Sequence, residues 1–257
     1  MNQKFSVKKE VLIKLIVGLF FVLNKVNIMF YLIIVNISIF SGMKPRVKIC
    51  CIKGMAEAEI AIRYGATAIG LVSEMPSGPG VISEELISEI AFKTPPGIGT
   101  FLLTSKQDTA SIIEQQRRCR VNTIQLCDNL VKGSYNDFRE ALPGIKIVQV
   151  IHVINEESVQ QAISIASHVD SILLDSGNPT SEVKKLGGTG NTHNWSLSRK
   201  IVDAVAVPVW LAGGLNPENC LDAFEKVSPF GLDVCSGVRT DGLLDEQKLS
   251  NFMAILS

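Results

Sequence analysis

From Arg46 to the C-terminus, short apolar runs alternate without a break with longer amphipathic segments, and no other feature restricts the fold as tightly. Strand-like runs occupy 47–51, 68–72, 98–103, 123–127, 146–150, 171–175, 208–212 and 232–235. Helical patterns follow each of them, at 55–64, 83–92, 108–117, 134–141, 156–166, 196–204, 217–226 and 245–255. The start signals agree: Ser83 precedes Glu84 and Glu85, and Asp245 opens the last helix. This rhythm implies a parallel sheet, because parallel neighbours need a long crossover between them. Eight such units in order predict an α/β chain with one closed (β/α)8 TIM barrel over 43–257. A doubly wound open sheet is the alternative.

Within that rhythm the strongest local signal runs from Val207 to Asn219. An apolar strand ends at Gly213-Gly214, and Asn216-Pro217-Glu218 spells the start of a helix, so strand is expected to turn directly into helix. Paired glycines leave backbone N–H groups unobstructed. The first amides of a helix are unpaired and its dipole is positive at that end, which suits a phosphate. The pattern recurs downstream, where the apolar run 230–235 leads into Ser236-Gly237-Val238. Barrels of this kind often bind phosphate at the loops after strands seven and eight. Gly213, Gly214, Ser236 and Gly237 are therefore the expected phosphate-binding residues, and the expected partner is a phosphorylated small molecule.

The totals set further limits. With 257 residues the chain has room for one barrel or two small domains. Its 25 basic and 25 acidic side chains cancel, no basic block occurs, and nucleic acid is not an expected partner. Six scattered cysteines, with no Cys-x-x-Cys, fit neither a secreted disulfide framework nor a two-pair zinc site. They read as reduced thiols of a cytoplasmic enzyme.

Residues 1–42 differ in kind. Two apolar blocks, 11–23 and 28–40, are each shorter than the ~20 residues that span a bilayer. Joining them would bury Asn24, Lys25 and Asn27. The segment lacks Ala, Arg, Pro, Asp and Thr, and Met43 stands just before an ordinary-looking beginning, Lys44-Pro45-Arg46. A misassigned start is the expected explanation, and a membrane anchor the alternative.

Chemistry in such barrels sits at the C-terminal ends of the strands. Two groups there stand out. Asp175 closes the apolar strand Leu173-Leu174-Asp175, where it could serve as an acid or simply pin the next loop. Cys50 shares a strand face with Lys48 and is expected to point into the barrel mouth, although a small core residue is the plainer reading. Together over a phosphate site they would make an acid and a base for moving protons on a sugar phosphate. Cys51, next on the strand, is expected to face away.

The ordered set of motifs resembles the phosphoribosylanthranilate isomerase family of tryptophan biosynthesis. It comprises Val47-Lys48-Ile49-Cys50, Ile124-Gln125-Leu126, Leu173-Leu174-Asp175, Gly187-Gly188-Thr189-Gly190 with Trp195, Leu211 through Asn219, and Asp233 through Val238. The resemblance implies a (β/α)8 barrel, monomeric or homodimeric, with no metal and no organic cofactor. It also implies an Amadori rearrangement. Asp175 would be the general acid that opens the furanose ring, and Cys50 the general base that takes the C2 proton. Gln125, Gly188 and Arg239 are further substrate-binding candidates. A buried carboxyl with a raised pKa suits the acid. A thiolate base would need nearby positive charge, since free cysteine has a pKa of about 8.5. Lys48 could supply that charge, but pairing with Asp233 on the adjacent strand is the favoured reading.

Three departures from the family pattern are visible. Cys51 stands where the family usually has Gly, and Cys127 where it usually has His. The loop after the second strand, Ser77-Gly78-Pro79-Gly80-Val81, lacks the Arg that usually holds the anthranilate carboxylate. A buried carboxylate needs a cationic partner. The candidates are Arg239, itself open to a surface role, His193 and His152. If none serves, the enzyme is expected to handle phosphoribosylanthranilate weakly, or to be a paralogue acting on another phosphorylated amino-sugar. A non-catalytic sugar-phosphate or soft-metal-binding barrel, using the cysteines near the strand ends, is the remaining alternative.

Overall fold

The computed structural model describes residues 45–177 and 192–257, and within them the predicted alternation closes on itself. The strands are β1 (Arg46–Ile49), β2 (Ala68–Val72), β3 (Gly99–Thr104), β4 (Thr123–Leu126), β5 (Lys146–His152), β6 (Ser171–Asp175), β7 (Val209–Leu211) and β8 (Gly231–Val234). They pair in parallel in sequence order, and β8 returns to β1. The helices are α1 (Met55–Arg63), α2 (Glu84–Lys93), α3 (Thr109–Cys119), α4 (Tyr135–Ala141), α5 (Glu156–Ala166), α6 (Trp195–Ala204), α7 (Cys220–Val227) and α8 (Glu246–Ile255). The fold is the closed barrel, not the open sheet. A short antiparallel pair, β9 (Arg239–Thr240) and β10 (Leu243–Leu244), precedes α8. The 1–42 extension and the Gly187–Gly190 run, with its candidate Gly188, lie outside the described residues. Among the described residues no helix is long and apolar enough to cross a membrane.

The pleat sorts the side chains into two cores. Ile49, Ile69, Leu102, Ile124, Ile172 and Leu232 point outward under the helices, where they are fully buried. Ala68, Val72, Phe101, Leu103, Val150, Leu173 and Trp210 point inward and fill the barrel. Trp210 meets Phe101 and Phe230 edge to face, at 5.9 and 5.4 Å between ring centroids. Burying an aromatic ring of this size contributes on the order of 3 kcal/mol, so this cluster packs the interior firmly beneath the site.

Two charges sit inside that core. Lys48 and Asp233 are in register across β1 and β8, with Nζ 2.8 Å from Oδ2. Gly70 makes room for them: a Cβ there would lie 3.2 Å from Lys48 Cε and 2.9 Å from Cys50 Sγ. Burial opposes the charged ammonium, but Asp233 beside it more than offsets that and holds the Lys48 pKa above its ordinary value. The structural reading of Lys48 holds.

Candidate active site

A cavity opens at the C-terminal ends of the strands, and Cys50, Cys51, Gln125, Asp175, Gly213, Gly214 and Ser236 are among its walls. It therefore unites the candidate acid and base with most of the candidate phosphate loops. Asp175 is 7 % exposed, at the end of β6, and accepts a 2.7 Å hydrogen bond from the Ser176 amide. Burial pushes its carboxyl above the ordinary range, against the pull of that amide and of His152. A carboxyl held this way keeps its proton to higher pH than a free one, which is what a general acid requires. Gln125 faces the same space, its Oε1 buried with no partner among the described residues.

Cys51 corrects the expected alternation. β1 ends at Ile49, before either cysteine, so the strand rule that turned Cys51 outward does not reach it. Its backbone adopts φ 63°, in the left-handed region, and both thiols border the cavity. That conformation costs a non-glycine residue roughly 1–2 kcal/mol. Gly80 shows how the extra side chain fits. Gly80 lies at φ 81°, and a Cβ there would come within 2.5 Å of Cys51 Cβ. The side chain at 51 thus fills the space a side chain at 80 would need. The Cys51 Cα would also lie 2.9 Å from that Cβ, and the positive φ favours glycine at 80 in its own right, so this loop has no place for a cationic side chain at 80.

The other cation candidates are also committed elsewhere. Arg239 is not at the surface and does not line the cavity. It is 7 % exposed, pairs with Glu57 at 3.0 Å, and donates to the carbonyls of Cys50 at 3.1 Å and Cys51 at 2.7 Å. It fixes the backbone that carries the thiols. His193 shares a 2.7 Å hydrogen bond with Ser198 Oγ, and burial lowers its pKa to about 4, so it is neutral at pH 7. His152, in register with Asp175, donates from Nε2 to the Cys127 carbonyl at 3.1 Å.

The phosphate loops are as open as expected but differently built. α7 begins at Cys220, not at Pro217. The intervening turn is held by side chains: Asn216 accepts from the amides of Glu218 and Asn219, and Asn219 donates to the Gly214 carbonyl at 2.9 Å. Gly213 and Gly214 take φ 87° and 62°, conformations open to glycine. Among the described residues no acceptor takes the amides of Gly213, Gly214 or Ser236. Gly237 also has a packing role. A Cβ there would lie 2.0 Å from the Leu215 carbonyl, so its bareness lets the two loops touch. Among the described residues no group of three or more His, Cys, Asp or Glu is arranged to hold a metal ion.

A family model described as N-(5'-phosphoribosyl)anthranilate isomerase matches residues 47–254. The chain belongs to that family. N-(5'-phosphoribosyl)anthranilate isomerase 2 of Methanosarcina mazei is 37% identical over 210 residues, covering 81% of this chain and 92% of that protein. The crystal structure of phosphoribosyl anthranilate isomerase from Thermotoga maritima is similar with a TM-score of 0.68 at 29% identity, covering 82% of this chain and 98% of that one. Another isomerase structure, in complex with reduced 1-(o-carboxyphenylamino)-1-deoxyribulose 5-phosphate, gives a TM-score of 0.66 at 27% identity over the same shares.

Against that family frame, sequence reasoning placed Cys50, Asp175, Gln125, Gly213, Gly214 and Ser236 at the cavity, and the structure brings them together there. It turned Cys51 away from the cavity that Cys51 lines, and it read Cys127 and Cys235, which also line it, only as thiols near the strand ends. The available signal was a cysteine at a position whose backbone favours glycine.

Proposed function

We propose that the chain converts N-(5'-phosphoribosyl)anthranilate to 1-(2-carboxyphenylamino)-1-deoxyribulose 5-phosphate, with Asp175 as general acid and Cys50 as general base. Asp175 gives its proton to the furanose ring oxygen, and the ring C–O bond breaks to leave an iminium. Cys50, as the thiolate, takes the C2 proton to become a thiol, and the electrons of the broken C2–H bond form the enolamine. Tautomerisation then yields the ketone. The supporting observation is a single cavity with a buried carboxyl of raised pKa and a thiol on its walls and open amides at the loops after β7 and β8. Those amides suit the phosphate. The weak-turnover and paralogue readings rested on the absent arginine alone, while relatives above 30% identity bear the isomerase name. Restored growth of a tryptophan auxotroph lacking this isomerase tests the reading; a folded, expressed chain that fails to restore it counts against it.

Gly214→Val is expected to close the approach to the open amides. Losing one hydrogen bond to a charged group costs about 1.5–3 kcal/mol, so the Michaelis constant should rise roughly 10- to 100-fold with inorganic phosphate losing its competition. An unchanged constant in a folded variant would place the phosphate elsewhere. Because all eight strands lie at or after Arg46, a chain begun at Met43 is expected to keep the melting temperature and turnover of the full chain. Insoluble or inactive protein would overturn that boundary.

A further inference from the structure

The isomerisation as derived uses one thiol, yet three crowd the same wall of the cavity. Cys51 Sγ lies 2.9 Å from Cys235 Sγ and 3.8 Å from Cys50 Sγ. We propose that Cys51 and Cys235 form a peroxide-sensitive thiol pair whose oxidation to a disulfide switches the site off. The inference rests on the isomerase reading of Cys50.

Three observations carry it. The two sulfurs already touch, coming from the end of β8 and from the residue after Cys50. Both line the cavity, so a small oxidant reaches them by the route substrate takes. Cys51 is also accommodated at some cost, in left-handed backbone and in space left by Gly80. The electrostatics agree. The hydrogen bond with Cys51 pulls the Cys235 thiol below the ordinary cysteine value, and the Arg239 charge adds to this. Cys235 is therefore the sulfur that reacts first, since the thiolate is the nucleophile.

The chemistry balances with hydrogen peroxide as oxidant. Cys235 sulfur attacks one peroxide oxygen; the S–O bond forms, the O–O bond breaks, and hydroxide leaves to be protonated to water. The resulting sulfenic acid is attacked by Cys51 sulfur. The S–S bond forms, the S–O bond breaks, and the departing hydroxide takes the Cys51 proton as a second water. Two thiols are oxidised by two electrons and one peroxide is reduced.

Bonded sulfurs stand about 2.0 Å apart, so closure must draw Cys51 and Cys235 together. That pull falls on the residue beside Cys50 and on the residue beside Ser236. Either the base or the phosphate amides move, and a displacement of about 1 Å in such a site can cost on the order of 10²-fold in rate.

The test treats the full-length chain with hydrogen peroxide, then reads turnover and a peptide map under non-reducing conditions. Expected are a Cys51–Cys235 cross-link, a loss of turnover on the order of 10²-fold, and recovery with dithiothreitol. Cys235→Ala, and separately Cys51→Gly, which suits the backbone, should each keep most of its own starting activity under the same dose. No cross-link, a cross-link with turnover intact, or equal inactivation of both variants overturns the proposal. Should the reduced parent show no turnover at all, the isomerase reading falls with the switch, and the map alone reports whether the pair forms.

Discussion

Cys50→Ala and Asp175→Asn are each expected to lower turnover roughly 10²- to 10⁴-fold, the usual worth of a general base or acid. Neither change should unfold the protein, because each removes little volume from a wall that faces a cavity rather than from the packed interior. The two effects should differ in pH dependence. The acid works protonated, and burial holds the Asp175 carboxyl above its ordinary value, so activity should decline as the pH rises through that raised value. Asp175→Asn should abolish that limb; Cys50→Ala should keep it in whatever rate remains. Cys119→Ala, buried in α3 away from the cavity, is the control. Near-normal turnover in either active-site variant would remove that residue from its assigned role.

The second large effect concerns stability. Asp233→Leu strands the Lys48 ammonium, which is 0 % exposed inside the barrel. Removing one partner of a buried pair costs about 3–5 kcal/mol, and urea unfolding should show a midpoint lowered accordingly. Replacing both partners, Lys48→Met with Asp233→Leu, should recover most of that loss, because no unpaired charge remains. The pH dependence follows from the raised Lys48 pKa. Its contribution to stability is fully present below the ordinary lysine value and is lost as the pH rises through the folded value. A double variant as unstable as Asp233→Leu would show that the pair does more than neutralise itself.

Much of this is legible in the sequence, for identifiable reasons. Strand and helix periods in a barrel are local, so six of the eight strands were placed to within about one residue, and the closure followed from their number. The Lys48–Asp233 pair was legible because two opposite charges on inward positions of neighbouring strands have nowhere else to go. The misreadings arose where one residue's fate depends on distant chain. Cys51 faces the cavity because the strand stops early and because Gly80, in the next loop, leaves it room. Arg239 looked like an open fork for a carboxylate, but Glu57 lies 182 residues away in sequence and claims it. The start of α7 moved by three residues because Asn216 and Asn219 satisfy each other in a turn that a capping pattern also spells.

Steady-state turnover of freshly prepared N-(5'-phosphoribosyl)anthranilate by the reduced, full-length chain tests the central claim most directly. The predicted result is saturable conversion to the ketose phosphate, with kcat/KM above about 10⁴ M⁻¹ s⁻¹, competed by inorganic phosphate. A folded protein that binds phosphate yet converts this substrate no faster than buffer would contradict it.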